Sequence, residues 1–538
     1  MKTNRMQGLP VLRRLFFISV CLVMASGMVF AAETGKTPAP ATRSAQADSA
    51  PATDSAPATG GNFGIHLSGY VRAWASMNLQ DIPEINQKGR GDLSMVRGSI
   101  SLNVDAKTGR RVQWKAIVRG DREVKTPYLE ALEDLNQKNS PGGPGSDILS
   151  LYNQFELREF YADVALTDRL QLRIGRQQVV WGETDFFHVM DLIEGFDFRW
   201  RSFIERDNDE IRKPLNLLNA TMNIPEANGT LQFVVRPGSG LNRAIDTGNT
   251  FDLSGGRWAP QPYRGFDFLG TGLLNTNYRY TDGDYRDWTG GVRWTGVGGP
   301  VNYSLSYLRT FNPNPVVNSV FAPYKGTPTG KLGDLVFPEI NVFGMSASGN
   351  INKIDAVVSA EVAYQDGVAY NVGSNFFGGT LPGFNGIKQE NVVVSSLRFD
   401  KQLRLSSHLK TNQPTFFSVQ LFNTWITGFK SSDDLVDLVG YGAPSKRLTS
   451  YLTGFFTLNY YHSKVNPGLA FGVDLGTGDA FLIPSVELQR GNHWRFVVEA
   501  DLFCPQNQKQ PGQIESQTRF LGYYAHNDQL VFRPTFQF

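Results

Sequence analysis

The 538-residue sequence lacks the features that define several common classes of protein. It contains only two cysteines, Cys21 and Cys504, so it carries neither a disulfide framework nor a zinc-binding cysteine pair. It has no Cys-x-x-Cys-His motif, which excludes haem bound covalently to this chain. Its 52 basic and 50 acidic residues nearly cancel, so charge gives no reason to expect nucleic-acid binding.

Long apolar segments are also missing after the first 31 residues. No later segment reaches the ~20 apolar residues that a transmembrane helix needs. The mean hydropathy of −0.27 would ordinarily indicate a soluble protein, but a membrane-spanning β-barrel can share it because only alternate residues face lipid. The 55 glycines, 12% aromatic residues and 19% charged residues favour β-structure with many tight turns.

The N-terminus has the order of a secretory signal peptide. Four basic residues precede an apolar run from Leu15 to Phe30, and the small residues Ala31 and Ala32 follow it. We predict a signal peptide over residues 1–31, with a retained membrane anchor as the alternative. Residues 32–61 consist mainly of Ala, Pro, Thr and Ser, which predicts a disordered leader. Residues 62–538 remain as one domain.

Within that domain, many segments alternate apolar and polar residues. In the segment 494–502, Trp494 and Val498 share one face, whereas Glu499 and Asp501 share the other. We count about 18 strands, with 16 as the alternative because bacterial barrels favour even numbers. The predicted strands lie near residues 64–79, 94–105, 111–119, 154–166, 169–177, 214–225, 229–237, 286–297, 300–311, 340–351, 353–366, 389–401, 414–430, 448–464, 467–477, 480–490, 494–502, 517–526 and 530–538.

The predicted connections alternate between short and long, as in outer-membrane barrels. Short turns fall near 107–110, 167–169, 226–229, 298–299 and 465–466, and long connections near 122–153, 238–285, 312–339, 366–388 and 431–447. A soluble sandwich or propeller would need burial on two sides and a repeat, and the sequence shows no repeat of fixed period. We therefore predict an all-β fold, a single transmembrane antiparallel β-barrel.

The C-terminus fits a strand that closes such a barrel. Phe532, Phe536 and Phe538 fall on one face of the final segment, opposite Arg533 and Thr535. An outward row of aromatic residues suits the lipid interface. It also resembles the terminal signal that outer-membrane proteins present to the barrel insertion machinery, so we predict an assembly role for these three residues.

The predicted inward face carries charges of both signs. The basic residues are Arg97, Lys115, Arg119, Arg173, Arg293 and Arg495, and the acidic residues are Asp105, Glu159, Asp163, Glu487, Glu499 and Asp501. Two alternatives stay open. The charges could orient polar solutes in a pore, or they could fill the lumen with salt bridges.

One segment lacks the alternation expected of a strand in the barrel wall. Between residues 182 and 213 acidic and basic residues crowd together, and six aromatic residues lie among them: Phe186, Phe187, Phe196, Phe198, Trp200 and Phe203. Neither a lipid-facing strand nor a free loop favours both properties. We predict that this segment is inserted into the lumen, where its charges pair with the wall and its aromatic rings pack.

At this point the chain resembles a known family. The run Gly175-Arg176-Gln177-Gln178-Val179-Val180-Trp181-Gly182-Glu183-Thr184-Asp185 looks like the signature of outer-membrane barrels filed as domain-of-unknown-function family 1302, and Asp191 and Arg212-Lys213-Pro214 stand where that family has an aspartate and an Arg-x-Pro. The resemblance covers residues 62–538 in plan and is specific over about 170–240. One departure is Glu194-Gly195, where the family usually has Asn-Pro.

The resemblance implies an integral outer-membrane protein of a Gram-negative bacterium, exported through the periplasm. It further implies contact with outer-membrane lipid and lipopolysaccharide. Members are often encoded near an outer-membrane lipoprotein and an inner-membrane efflux-type permease, which suggests export or trafficking of apolar or bulky compounds.

Several roles follow for the motif residues. We expect Gly182 to let the chain turn inward, Arg176 and Glu183 to form an ion pair, and Trp181 to act as an apolar plug. The full set of candidate lumen and constriction residues is Arg176, Trp181, Gly182, Glu183, Asp185, Asp191, Arg212, Arg97, Lys115, Arg119, Arg173, Glu499 and Asp501.

Three functions fit these features. The first is a channel or transport barrel with an inward-folded charged constriction, and the second is a scaffold for a lipoprotein or an efflux-system partner. The third is an outer-membrane enzyme acting on lipid or peptide. The sequence shows no Gly-x-Ser-x-Gly motif and no zinc-ligand spacing, and His188 near Glu183 and Asp185 reads as a hydrogen-bonding residue of the lumen. We therefore expect no catalysis, no cofactor and no metal.

Overall fold

The computed structural model describes residues 63–82, 89–205, 207–238, 253–259, 264–284, 286–374, 382–438, 443–506 and 519–538. The predicted signal peptide and leader lie outside the described residues. Eighteen strands form one antiparallel barrel: β1 Phe63–Asn78, β2 Leu93–Thr108, β3 Val112–Glu123, β4 Gln154–Ala165, β5 Leu170–Gln177, β6 Leu215–Ile224, β7 Gly229–Arg236, β8 Thr289–Gly298, β9 Val301–Phe311, β10 Glu339–Ile351, β11 Ala356–Val372, β12 Ile387–Leu403, β13 Thr415–Ile426, β14 Leu448–Thr457, β15 Val465–Asp474, β16 Ala480–Arg490, β17 Trp494–Cys504 and β18 Gln529–Gln537.

The last strand closes the barrel against the first. Strand β18 pairs antiparallel with β1, with Phe536 opposite Val71 and Phe532 opposite Ala75. Beyond that ladder, Gly69 and Phe538 exchange two backbone hydrogen bonds, each 3.0 Å long. The predicted all-β barrel of 18 strands is confirmed.

Successive side chains of each strand point alternately to the lipid and to the lumen. On β17, Trp494 and Val498 are exposed on the outer face, whereas Glu499 and Asp501 are buried inside. The outer face displays large apolar side chains around the whole barrel, among them Leu67, Ile100, Phe160, Ile174, Phe233, Leu305, Phe343, Met345, Leu397, Trp425 and Phe532. A continuous apolar surface of this extent marks a lipid interface. The chain is an integral outer-membrane barrel.

No described helix has both the length and the apolar character to span a membrane.

The two ends of the barrel differ in the length of their connections. The β2–β3 and β16–β17 turns are tight, and their glycines Gly109 and Gly491 adopt φ values of 68° and 61° that favour glycine. The connections at this end are mostly short, and the strand end at Phe538 lies here too. The long connections lie at the other end, together with one short turn, β15–β16, at residues 475–479. Short turns identify the periplasmic end and long loops the extracellular end.

The connections between wall strands carry the remaining elements, most of them in the long loops. Helix α1 spans Pro127–Asn139, and two single-turn helices, α2 and α3, span Asn208–Ile211 and Ser406–Leu409 in a long loop and a periplasmic turn. Short strands are Leu274–Thr276, Arg279–Tyr280, Gly283–Asp284, Val316–Ser319, Gly333–Val336, Leu435–Leu438 and Ala443–Pro444. The 3₁₀ turns are Pro144–Ser146, Ile148–Leu151, Ser202–Ile204, Pro225–Ala227, Ser431–Asp433 and Phe520–Tyr524.

One predicted strand is wrong. Within the predicted strand 517–526, Phe520–Tyr524 form a 3₁₀ turn, and residues 517–518 lie outside the described part of the chain. Leu521, Tyr523 and Tyr524 are all buried in one aromatic cluster. Apolar residues occupy both alternating faces of this stretch, so a strand would have turned half of its apolar side chains toward a polar lumen. Removing this segment from the predicted set leaves the 18 observed strands.

Candidate functional site: a plug folded into the lumen

Residues 178–214, between β5 and β6, fold into the lumen and are called the plug below. The plug is a folded hairpin, because the Asp197 amide donates to the Ile211 carbonyl at 2.7 Å and the Lys213 amide donates to the Gly195 carbonyl at 2.9 Å. Arg206 lies outside the described residues. The predicted insertion of a lumenal segment near 182–213 is confirmed.

The plug enters from the extracellular end and reaches deep into the barrel. The Glu183 amide donates to the carboxylate of Glu361, which lies five residues from the periplasmic end of β11. Arg201 reaches Glu499, five residues from the periplasmic end of β17. At about 3.3 Å per residue these wall contacts lie within roughly 17 Å, measured along the strands, of the periplasmic rim. The plug therefore crosses most of the lumen.

One side of the lumen binds the plug through charges. This charged wall consists of the inward residues Arg72, Arg97, Arg119, Asp121, Glu123, Glu156, Arg158, Glu499, Asp501 and Arg533 on β1–β4, β17 and β18. Arg201 of the plug pairs with Glu499, with Asp501 at 3.3 Å and with Glu205 of the plug at 2.9 Å. All four side chains are about 1% exposed, so none of the charges is compensated by solvent.

A second charged contact lies on β1 and β3. Glu210 of the plug accepts from Tyr70 at 2.9 Å, pairs with Arg72 at 2.9 Å and pairs with Arg119 at 3.1 Å. Burial opposes its ionisation, but Arg72, Arg119 and Arg158 outweigh burial and lower the pKa of Glu210 to about 2. Glu210 is therefore an anion at any physiological pH.

The aspartate and arginine of the family motif meet inside the plug. Arg212 and Asp191 form an ion pair of 2.5 Å, and the Arg212 guanidinium lies 5.0 Å from the ring centroid of Phe196. The imidazole ring of His188 also stacks on Phe196, with ring centroids 4.1 Å apart. Burial lowers the pKa of His188 to about 4, so the imidazole is neutral at pH 7. The motif thus stabilises the fold of the plug itself.

The opposite side of the lumen is apolar. This apolar wall consists of the inward residues Leu215, Leu217, Val234, Leu308, Ile340, Val342, Ala363, Val368, Val392, Phe422 and Ile426 on β6, β7 and β9–β13. Five buried plug residues pack into the same cluster: Val179, Trp181, Val189, Met190 and Ile193. Apolar packing has no required direction, unlike the charged contacts across the lumen.

Two glycines of the wall make room for the plug. A Cβ at Gly291 on β8 would lie 2.9 Å from Cη2 of Trp181, and a Cβ at Gly344 on β10 would lie 2.9 Å from Sδ of Met190. Trp181 is 1% exposed, and its indole Nε1 donates to Gln232 of β7 at 2.9 Å. The wall is shaped to receive these two side chains.

Aromatic rings fill the space between these walls. Phe187 stacks on Tyr451 of β14 at 4.7 Å and contacts Phe422 of β13 at 5.4 Å. Phe186 and Phe203 both contact Phe481 of β16, with centroids 5.3 and 5.6 Å apart. The plug therefore contacts wall strands on all sides of the barrel.

Three predicted residues lie at the tip of the plug. Gly182 packs closely against the plug, since a Cβ there would lie 3.1 Å from Cβ of Asp191. Glu183 is held through its backbone, because its carbonyl also accepts from Arg398 of β12 at 2.9 Å. The Asp185 carboxylate pairs with Arg398 at 3.2 Å and accepts from Gln420 of β13 at 2.7 Å.

Arg176 is not a lumen residue, and the predicted Arg176–Glu183 ion pair does not form. Arg176 is three residues from the inward Arg173, so alternation places it on the outer face, opposite the exposed Phe160 of β4. Its guanidinium donates to the Arg158 carbonyl at 3.1 Å. The prediction assigned both arginines to one face, which their odd spacing forbids.

The remaining predicted residues occupy two levels of the wall. Arg97 and Arg119 belong to the charged wall and pair with Asp121 at 3.1 and 3.2 Å. Lys115 and Arg173 lie nearer the periplasmic end, where the lumen is more open, and Arg173 pairs there with Asp163 at 2.7 Å while both remain about one-third exposed. Phe532, Phe536 and Phe538 face outward, and their role in assembly stays a prediction.

Sequence reasoning missed the wall residues that contact the plug tip. Glu361, Arg398 and Gln420 are polar residues of ordinary barrel strands, and their plug partners are 178, 215 and 235 residues away. Their inward position in a strand was the only available signal. Among the described residues, no group of three or more His, Cys, Asp or Glu side chains is arranged to hold a metal ion.

Solved structures with a similar overall arrangement are outer-membrane channels. The outer-membrane channel DcaP of Acinetobacter baumannii is 9% identical, with 89% of this chain and 98% of that chain covered and a TM-score of 0.36. OpdK of Pseudomonas aeruginosa, solved with vanillate, is 9% identical, with 88% and 98% covered and a TM-score of 0.42. OccAB1 of Acinetobacter baumannii is 9% identical, with 88% and 95% covered and a TM-score of 0.42. At these scores the similarity carries nothing about function.

The family comparison is more direct. No curated protein matches the sequence significantly. The family described as "Protein of unknown function (DUF1302)" matches residues 41–503, which include β1–β16, nearly all of β17 and the whole plug. The chain therefore belongs to the DUF1302 family.

Proposed function

We propose that this barrel is an outer-membrane transport channel whose lumen is closed at rest by the plug, residues 178–214. The observation that supports it most directly is the location of the plug, which contacts wall strands on all sides of the barrel. A barrel of 18 strands encloses water unless something fills it. Transport then requires the plug to shift inside a barrel that stays intact.

The two walls differ in how easily the plug can leave them. Separating Arg201 from Glu499 and Asp501 would leave buried charges unpaired, which costs about 3–5 kcal/mol. Separation from the apolar wall breaks the Trp181–Gln232 hydrogen bond and the contacts of Asp185 with Arg398 and Gln420. The rest of the surface that it exposes is apolar, and an apolar cargo covers that surface again. We therefore propose that the plug stays bound to the charged wall while apolar or amphiphilic cargo passes between Trp181, Met190 and the apolar wall.

Channel recording tests the closed state. In one variant, residues 180–213 are replaced by Gly-Ser-Gly-Ser, which can join the adjacent ends of β5 and β6. We expect a large rise in single-channel conductance over the wild-type protein in planar bilayers. Unchanged conductance of a correctly folded variant contradicts the proposal.

A reversible lock tests the same point without deletion. Asp185→Cys and Gln420→Cys, in a Cys504→Ser background, place thiols where the side chains now hydrogen-bond at 2.7 Å. A short reducible bis-thiol cross-linker should abolish transport, and reduction should restore it. Transport that continues with the lock closed overturns the proposal, and the uncross-linked double variant serves as the control.

The proposed passage of apolar cargo can be tested in cells that express the barrel. The apolar probe N-phenylnaphthylamine fluoresces once it has crossed the outer membrane, so its rate of entry measures apolar transport. Val342→Thr with Val392→Thr adds hydroxyl groups to the apolar wall at little change in volume, and entry of the probe should slow while ion conductance stays the same. The apolar route is contradicted if probe entry and ion conductance fall equally, or if neither of them falls.

A further inference from the structure

The periplasmic end of the barrel carries a strong excess of positive charge. We consider the eight periplasmic turns, each with two flanking strand residues at either side, all of which lie within the described chain. Their exposed basic residues are Lys107, Arg110, Arg111, Arg169, Lys353, Arg404, Lys410, Lys464 and Arg490, and their exposed acidic residues are Asp168, Glu226 and Asp355. Nine basic residues against three acidic ones stand out in a chain whose net charge is +2.

Within the described part of the chain, most of these basic residues form no ion pair with an acidic side chain. Arg169 pairs with Glu226 at 2.7 Å, and Arg404 lies 3.8 Å from Asp355. The β2–β3 turn holds Lys107, Arg110 and Arg111 together without any acidic residue in the turn. An unneutralised cluster of this kind attracts anions.

Exposed apolar side chains accompany the basic ones. Leu166, Ile354, Leu409 and Tyr461 are 47%, 43%, 42% and 52% exposed, and each lies within three residues of one of the nine basic residues. Adjacent apolar and basic residues are typical of segments that lie in the headgroup region of a membrane.

The nine basic residues are called the basic ring below. Its position on the barrel agrees with a location in the headgroup region of the membrane. Aromatic residues of the outer face lie directly above the turns, with Trp114, Trp494 and Phe538 exposed by 41%, 43% and 48%. Such aromatic residues mark the level of the lipid headgroups. The basic residues also occur in turns around most of the circumference, from β2–β3 to β16–β17, as expected for a partner that surrounds the barrel.

From these observations we infer that the basic ring binds lipid headgroups of net negative charge in the periplasmic leaflet of the outer membrane. The anionic headgroup pairs with Lys and Arg side chains, while the apolar side chains of the turns insert beside it. A soluble acidic protein would instead engage the ring from below and gain nothing from the four apolar residues at the rim.

Native mass spectrometry of the purified full chain tests this inference. The protein in detergent is titrated with phosphatidylglycerol and, separately, with phosphatidylethanolamine, and bound lipid is counted for each. We expect the wild-type protein to prefer phosphatidylglycerol. Because one basic residue near an anionic surface contributes about fivefold in affinity, Lys107→Gln with Arg110→Gln and Arg111→Gln should reduce that preference by at least about tenfold.

A matched variant controls for the loss of three positive charges. Arg90→Gln, Lys138→Gln and Lys331→Gln remove three exposed basic residues from extracellular loops, and this variant should keep the wild-type preference. Heat-dependent migration in gels confirms that each variant holds a folded barrel. Equal binding of both lipids by the wild-type protein overturns the inference, as does an equal loss of preference in the two triple variants.

Discussion

The charged wall and the apolar wall hold the same plug by different physical means. Arg201 meets three carboxylates in a dry part of the lumen, where each contact requires one geometry. Trp181 and Met190 lie against an aliphatic surface with recesses at Gly291 and Gly344, where small shifts cost little. Under the proposed function, the charged side of the plug is the anchored side and the apolar side is the one that moves.

The largest effect is expected from breaking the charged wall. Arg201→Ala leaves Glu205, Glu499 and Asp501 buried without their cation, which should cost about 3–5 kcal/mol. The urea midpoint of the barrel should fall, and its conductance should rise as the plug loosens. Arg199→Ala is the control, because its pair with Asp197 is 39% exposed on the arginine side and should be worth about 1 kcal/mol or less. A midpoint for Arg201→Ala equal to that of Arg199→Ala would refute the anchoring role.

Acid should weaken the same wall by a smaller amount. The pKa of Glu210 is about 2 in the folded protein, below its ordinary value of 4.5, so its contribution is complete above about pH 4.5 and is lost as pH falls toward 2. A shift of this size corresponds to about 3 kcal/mol. Urea unfolding measured between about pH 6 and pH 2 checks the expectation. The variant Glu210→Gln should show a shallower decline, and a decline as steep as that of the wild-type protein would contradict this assignment.

The apolar wall should respond weakly and without dependence on pH. Ile340→Val removes one buried methylene group next to the plug, which should cost about 0.5–1.5 kcal/mol. The loss should be the same at neutral and acidic pH, since no charge is involved. If this variant altered the pH dependence of unfolding, the two walls would not be independent.

The smallest effect is expected at Glu183. Its amide and carbonyl make the contacts with Glu361 and Arg398, and within the described residues its carboxylate forms no ion pair. Glu183→Ala should therefore change stability by less than about 0.5 kcal/mol and leave conductance near the wild-type value. Glu361→Gln is the informative companion, because it alters the wall group that the Glu183 amide contacts. A larger loss in Glu183→Ala than in Glu361→Gln would show that the carboxylate matters.

Much of the barrel was predictable because one rule governs every wall strand. Lipid on one side and the lumen on the other impose the alternation that defines β17 and β18, and tight turns at Gly109 and Gly491 separate neighbouring strands. The rule fails where both faces of a segment are apolar. Phe520–Tyr524 has this pattern and forms a 3₁₀ turn in the lumen.

The candidate site was predictable in position and only partly in detail. Charges mixed with aromatic residues indicated that residues 182–213 enter the lumen, because no other location satisfies both. The partners were not predictable, since Arg201 and Asp185 contact residues hundreds of positions away in the sequence. For Arg176 the strand period itself gives the outer face, and the prediction had overlooked that spacing relative to Arg173.

The sequence by itself determined a closed outer-membrane barrel, a strand number of about 18 and the entry of one charged, aromatic segment into the lumen. Each of these follows from a local pattern, because lipid, water and turns select residue types at fixed spacing. Only the tertiary structure decided that Arg201, Glu499 and Asp501 meet on one wall and that Trp181 and Met190 pack on the other. Barrel closure brings together strands that are distant in sequence, and the pairing of their inward side chains exists only once the barrel has closed.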